Sequence, residues 1–348
     1  MPHPVLEAAQ QTRAELLRAE NATTTRLIRS YEQIYNRLQN PIASLERDIE
    51  NLSLRGELSV DKVRRLTTYA SLQNQIQDEI NRYNGVVDND LRLATNETMD
   101  RALIHSKRLT QSYFIFNESL NQAFEATWDN LPKEAIETLL GFLAEDSQLH
   151  INLTRDLGSS ATRVFEDNLM EGVALGYNPN KITSAINNSL GQPLSWALST
   201  VRTSQLYTYR EATRANYLNN NEILRSWKWY AALDSRCCLS CFNQHGREFT
   251  LEQVLNDHHQ GRCTQIPILP NKYGITQPDI SLGEDVFNSL PESQQVQRMG
   301  NSMHKAYKAK EFQFNELSVP YQNDIYGEMV KEASLVGLIG DRAKQYYE

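Results

Sequence analysis

Residues 227–269 have the sequence WKWYAALDSRCCLSCFNQHGREFTLEQVLNDHHQGRCTQIPIL, and this stretch determines the fold class that we expect. It contains all four cysteines of the 348 residues and three of the seven histidines, of which His258 and His259 lie just before the last cysteine. The aromatic alternation in WKWYAAL predicts a β-strand, REF predicts a short returning strand, and RCTQIPIL predicts a third strand. Thr250 and Gln253 form a capping box, which predicts a short helix over LEQVLNDHH. We therefore predict a small α+β module over residues 226–275.

The cysteines and histidines of this module have the spacing of a metal site. Cys238 and Cys241 form a CxxC pair, the usual first half of a structural zinc site. The predicted second half is His258 with Cys263, and His259 is a near-equal substitute for His258. Thiolate and imidazole donors suit Zn²⁺, and four protein ligands leave no open position for a reactive water. The spacing predicts a closed zinc site that stabilises the fold; the alternative is small buried thiols and surface histidines without metal.

The remainder of the chain has helical hydrophobic periodicity, as in Leu27, Tyr31, Ile34 and Leu38. We therefore predict a mainly α protein, with a long helical arm and a helical bundle beside the zinc-stapled α+β module. Pro41 is predicted to interrupt the first long helix. The predicted segments are a helical arm or hairpin over residues 1–128, a helical domain over 129–225, the module over 226–275, and a helical C-terminal segment over 276–348 that ends in a helix near Asp324–Leu338.

Composition limits the class of protein and its compartment. The net charge of -8 offers no overall basic surface for nucleic acid. The first residues lack the apolar segment of a signal peptide, so we expect a cytoplasmic protein with reduced cysteines, which favours metal over disulfides. The longest apolar run, near Ile136–Leu143, is too short to span a membrane, and no membrane partner is expected. Cys237 is expected to be a bystander, because adjacent side chains in an extended chain point in different directions.

A longer pattern of residues surrounds the predicted zinc ligands. It consists of Trp227, Asp234-x-Arg236-x-Cys238-x₂-Cys241, His245-Gly246-x₂-Phe249, His258, Arg262-Cys263 and Pro267. This pattern resembles the signature of the phage head morphogenesis family, the Mu F-like minor head proteins. Arg202-Thr203 in a predicted helix and the segment from Pro291 to Gly300, with Tyr307 beyond it, are similar to flanking elements of that family. The resemblance covers about residues 170–320.

Three positions depart from the family pattern. Cys237 stands where the family usually has Thr, and Ser204 stands where it has Glu. Gly261 replaces the first cysteine of the family's C-R-C element. The last change removes one thiolate, so a histidine must contribute more to the predicted metal site.

The resemblance implies a structural role in virion assembly and no enzymatic activity. Family members are minor proteins inside the phage head, associated with the portal during procapsid assembly and DNA packaging or delivery. The implied partners are the portal protein first, then the major capsid or scaffold protein. Contact with DNA is implied for some members, but the acidic composition of this chain does not support it. The implied location is the virion near the portal, after assembly in the host cytoplasm.

Two other functions fit parts of the same sequence. The CxxC pair followed by Asp257-His258-His259 is similar to HNH endonucleases, in which a histidine activates water beside a metal. Such an enzyme also needs a later asparagine and a further histidine; Asn271 could be the first, but the next histidine, His304, lies in a predicted helix. The third interpretation is a host-side zinc-containing adaptor unrelated to phage.

Overall fold

A computed structural model describes residues 3–141, 147–151 and 157–347 of the chain. Within these residues the protein is mainly helical and contains small antiparallel sheets, which confirms the predicted fold class at that level. None of the described helices is both long and apolar enough to cross a membrane.

The helices are α1 (Pro4–Leu54), α2 (Val60–Arg64), α3 (Thr67–Gln111), α4 (Glu118–Thr127), α5 (Lys133–Leu140), α6 (Gln148–Ile151), α7 (Leu157–Ala174), α8 (Pro179–Asn219), α9 (Leu239–Gln244), α10 (Gly283–Ser289), α11 (Glu292–Met299), α12 (Asn301–Lys308) and α13 (Leu335–Ile339). The strands are β1 (Ser226–Tyr230), β2 (Glu248–Phe249), β3 (Thr264–Ile268), β4 (Ser318–Asn323) and β5 (Gly327–Glu332). Short 3₁₀ turns cover Asn271–Tyr273, Phe314–Glu316 and Gly340–Tyr346.

The chain forms two compact units, each assembled from separated segments. The first unit contains Met1–Leu17, Glu97–Leu140 and Leu206–Glu348, and the second contains Arg18–Asn96 and Gly141–Gln205. The long helices α1, α3 and α8 therefore each contribute residues to both units. The four consecutive segments expected from the sequence stay a prediction.

The second unit has a core of apolar side chains from α1, α3 and α8. Tyr31 and Tyr83 pack edge to face with ring centroids 5.0 Å apart, and the Tyr31 hydroxyl donates a hydrogen bond to the Leu190 carbonyl. Their neighbours at helical spacing are buried as well: Leu27, Ile34 and Leu38 on α1, Leu72, Ile76 and Ile80 on α3, and Ile182 and Ile186 on α8. The stripe read from the sequence is therefore a core-facing stripe.

The predicted interruption at Pro41 is wrong, because α1 continues through it. Leu38, Ile42, Leu45 and Ile49 are all buried on the side of the helix that faces the core. Burying four such side chains stabilises the helix by several kcal/mol, more than the roughly 3 kcal/mol that an interior proline costs. Packing therefore overrides the local preference of proline.

The first unit contains the predicted three-stranded sheet, with the order β2-β1-β3 and both pairings antiparallel. Trp227 lies opposite Phe249 on one side and Pro267 on the other, so the three strand predictions are confirmed. Trp227 and Trp229 are 0% exposed and, two residues apart, lie on the same face of β1. The hydroxyl of Tyr113, in the turn that follows α3, donates a 2.6 Å hydrogen bond to the Pro267 carbonyl, which fixes β3 against that turn.

The helix predicted over LEQVLNDHH is absent. The contact of its capping box forms, since the Thr250 amide donates to Gln253 Oε1 at 2.8 Å, but only a turn follows it. The Asn256 carbonyl accepts a 2.8 Å hydrogen bond from the amide of Val330 in β5. A long-range contact with β5 thus holds the backbone at Asn256, and the segment is irregular.

The helix predicted near Asp324–Leu338 is also wrong, and β4 with β5 forms a hairpin there. The Asn323 side chain accepts hydrogen bonds from the amides of Ile325 and Tyr326, both at 2.9 Å, and closes the turn. Gly327 has a φ of +73°, which glycine adopts without steric cost. Turn chemistry therefore decides this segment, and only α13 of the predicted helix remains.

We expect Pro41→Ala to stabilise the protein by about 2 kcal/mol. Alanine restores the missing backbone hydrogen bond inside α1 and removes the ring clash, which together cost roughly 3 kcal/mol. The opposing effect is smaller: without proline the unfolded chain gains conformational entropy, which destabilises the folded state by less than about 1 kcal/mol. The matched control is Pro4→Ala at the first position of the same helix, where proline is tolerated. Urea unfolding followed by helical circular dichroism measures both. Equal midpoints for the two variants would contradict the prediction.

Candidate metal centre

The first pair of sulfur atoms is placed by the start of helix α9. Cys238 is the N-cap residue, and its Sγ accepts a hydrogen bond from the Cys241 amide at 3.3 Å. This geometry turns the Cys241 side chain to the same side as Cys238. Cys241 is buried, while Cys238 is partly exposed. The CxxC pair thus forms the knuckle that the sequence predicts.

His258 completes a group of three donors with this pair. Its Nε2 lies 3.1 Å from Cys238 Sγ and 3.3 Å from Cys241 Sγ. Its Nδ1 faces the His259 carbonyl at 2.8 Å, a contact that orients the ring and selects Nε2 as the atom directed at the sulfurs. The donor atoms of all three residues lie within 4.8 Å of one another.

A second group shares Cys241 with the first. It consists of Cys241, Asp257 and Cys263, again with donor atoms within 4.8 Å of one another. The four ligands predicted from the sequence therefore fall into two overlapping groups, and Asp257 is an additional donor that the sequence analysis missed. These five residues lie close enough to hold a metal ion.

The structure also places His259, the alternative to His258, and Cys237, the expected bystander. His259 directs Nε2 at the Asn323 side chain, 3.3 Å away, and belongs to neither metal-capable group among the described residues. The geometry therefore favours His258 over His259. Cys237 is outside both groups as well, although it lines the same cavity and its Sγ lies 3.7 Å from the Cys238 carbonyl.

The cavity at the centre of the cluster is small. It has a volume of about 40 Å³ and is lined by Cys237, Cys238, Cys241, His258 and Cys263, together with neighbouring loop residues. A single water needs at least roughly 10–15 Å³ measured in this way. The cavity can therefore hold one small ion and has no room for an organic substrate.

The protonation of the cluster is uneven. A hydrogen bond from Cys241, together with the nearby His258, lowers the pKa of Cys238 to about 5. Burial alone would lower the pKa of His258, but its contact with Cys238 and the charge of Asp257 raise that pKa to about 9. Burial raises the pKa of Cys263 to about 12. A bound cation would displace these protons, since zinc binds thiolate and neutral imidazole.

An ion pair joins the two loops that carry the donors. Arg262 donates to both carboxylate oxygens of Asp234, at 2.6 and 2.7 Å. This bidentate contact lowers the pKa of Asp234 to about 2. It links the loop before the CxxC pair to the turn after His258, so both halves of the cluster are restrained.

Other residues of the sequence pattern have structural contacts. Gly246 has a φ of +80°, and a Cβ there would lie 2.5 Å from the Ser281 carbonyl oxygen, so only glycine fits. Gln295 donates to the Leu290 carbonyl at 2.8 Å and contacts His304 Nε2 at 3.1 Å. His304, the further histidine that an HNH-like enzyme would need, belongs to no metal-capable group in the part of the chain that the structure describes.

Comparison of the chain with models of known protein families, with curated proteins and with solved structures found no match. The resemblance to the minor head proteins thus stays a prediction from the residues named above.

We expect the purified protein to bind one zinc ion per chain and Cys241→Ser to lose it, because Cys241 belongs to both donor groups. The matched control is Cys237→Ser, a neighbouring buried cysteine that should keep the zinc. Elemental analysis after dialysis against a metal-free buffer measures the stoichiometry. Equal loss of zinc in both variants would contradict this assignment.

The two adjacent histidines should differ in the same way. We expect His258→Ala to lower zinc affinity by at least about tenfold. Substituting a residue that only supports a ligand already costs about 10–100-fold, so losing a ligand should cost no less. His259→Ala should leave the affinity unchanged. Competition with a chromophoric chelator gives both constants, and a larger loss in His259→Ala would reverse the assignment.

Proposed function

We propose that this chain is a phage minor head protein whose zinc module is a structural anchor, and that it docks on the portal or the inner capsid during procapsid assembly. The observation that carries the proposal is the convergence of the signature residues on one site. Cys238, Cys241 and His258 meet within 4.8 Å, and the Asp234–Arg262 pair joins the loops around them. Five residues of the pattern thus lie at one site, which supports the proposal.

The donor set supports stability as the role of the metal. We propose zinc on Cys238, Cys241 and His258, with Cys263 as the fourth ligand predicted from the sequence. Four protein ligands close a tetrahedral site, and the small cavity offers no space for a substrate. When bound, zinc would supply folding free energy, on the order of 10 kcal/mol in small sites of this kind.

The proposed partner is the portal protein, with the major capsid or scaffold protein as a further contact. This assignment comes from the sequence resemblance. The net charge of -8 favours a protein partner over a nucleic acid. Within the head, a rigid module on long helices suits a protein that must keep its position while DNA enters.

Co-expression with the portal protein of the same genome tests the proposal. We expect the affinity-tagged chain to retain portal oligomers or procapsids, and Cys241→Ser to retain fewer because its module loses the zinc. Cys237→Ser is the control that should retain them at the wild-type level. A zinc-loaded chain that associates with neither portal nor procapsid would contradict the assembly role and favour the host-side adaptor.

An assay on supercoiled DNA separates the structural role from the nuclease alternative. The zinc-loaded protein should leave the plasmid intact in the presence of magnesium. Nicking that depends on magnesium and disappears in His258→Ala, but not in His259→Ala, would replace the proposal with an HNH-like endonuclease.

A further inference from the structure

Asp257 occupies a central place in the cluster although it is not among the proposed zinc ligands. Its side chain is 0% exposed. One carboxylate oxygen, Oδ1, accepts a 2.9 Å hydrogen bond from the His258 amide, and the other, Oδ2, accepts a 3.2 Å hydrogen bond from the Cys263 amide. One side chain therefore holds the backbone at both ends of the turn that carries the second half of the ligand set.

The carboxylate also contacts the first half of the set. The Cys241 thiol donates to Asp257 Oδ1 at 3.3 Å, and His258 Nε2 lies 3.5 Å from the same oxygen. Asp257 thus contacts every proposed ligand residue except Cys238: Cys241 and His258 through their side chains and Cys263 through its backbone amide. Residues that contact several ligands next to a metal site orient those ligands.

A buried cation on helix α8 balances the charge of Asp257. Arg210 Nη1 lies 3.3 Å from Oδ2, and the two side chains are 2% and 0% exposed. Arg210 Nε and Nη1 form no hydrogen bond with any residue that the structure describes, so the ion pair is their main compensation. A buried charge is stable only when it is paired, so Arg210 is what allows the carboxylate to stay ionised there.

Gly261 leaves the space that the carboxylate fills. A Cβ at this position would lie 2.1 Å from Asp257 Oδ2 and 2.2 Å from its Cγ. The glycine is therefore required by space. Any side chain at position 261 would enter the volume that the Asp257 carboxylate already fills.

We propose that Asp257, anchored by Arg210, is the positioning residue of the zinc site and sets the placement of His258 and Cys263. This inference rests on the proposed zinc site and goes beyond it, because it connects the metal to helix α8 through one buried ion pair. Both carboxylate oxygens accept hydrogen bonds from backbone amides, and these are the contacts through which Asp257 would hold His258 and Cys263 in place.

The test is zinc affinity in Asp257→Asn, measured by chelator competition on the full chain. We expect the affinity to fall about 10–100-fold with one zinc still bound per chain, because asparagine loses the charge that Arg210 balances and one of the two acceptor oxygens. The matched control is Glu252→Gln, which removes the charge of an exposed carboxylate of the same module outside both donor groups and should leave the affinity unchanged. Equal affinity in wild type and Asp257→Asn would overturn the inference.

Cobalt substitution distinguishes positioning from ligation. The visible absorption of the Co²⁺-loaded protein should keep the same bands in Asp257→Asn, since the ligands are unchanged; a new band pattern would make Asp257 a ligand and refute the positioning role.

Gly261→Ala provides a second variant, should Asp257→Asn fail to fold. It retains the carboxylate but displaces it, so we expect a similar fall in affinity, and wild-type affinity there would contradict the inference. Absence of zinc from the wild-type chain would instead refute the proposed function itself.

Discussion

The rule that a charge can be buried only beside a compensating partner governs the architecture of the module. Three thiols, an imidazole and a carboxylate lie together in a largely buried site. Three of the acidic and basic groups in and around the site have a specific partner: Arg210 for Asp257, Cys238 for His258, and Arg262 for the loop acid Asp234. These partners come within contact distance because the short strands, helix α9 and the irregular turn bring their segments together.

Local patterns in the sequence predict local structure well in this chain. The three strands around Trp227 follow from alternation and turn residues, and the knuckle follows from the spacing of Cys238 and Cys241. Two failures involve contacts between distant residues, whereas the failed helix near Asp324–Leu338 is explained by the local turn residues Asn323 and Gly327. Core packing carries α1 through Pro41, and Val330 of β5 binds the Asn256 carbonyl in the segment where Thr250 and Gln253 predict a helix. No window of neighbouring residues contains that information.

The same distinction holds for the candidate site. Cys238, Cys241 and Cys263 can be identified because cysteines are rare here, and spacing points to a histidine. Choosing His258 over His259 requires the ring orientations, which depend on Asn323 far along the chain. Asp257 was missed because an aspartate beside two histidines is usually solvent-exposed, and only the fold shows it buried against Arg210. The assembly role stays a proposal that depends on the pattern of residues.

Strand β5 has a consequence for the order of events during synthesis. Its Glu332 accepts a 2.5 Å hydrogen bond from the Leu239 amide, and its Val330 holds the Asn256 carbonyl, so it contacts the backbone beside both halves of the cluster. A chain emerges from the ribosome with its N-terminus first, and contacts between distant segments form late. The cysteines therefore emerge well before the strand that secures them. During that interval the thiols of the nascent chain would have to stay reduced, without forming disulfides or binding other metal ions.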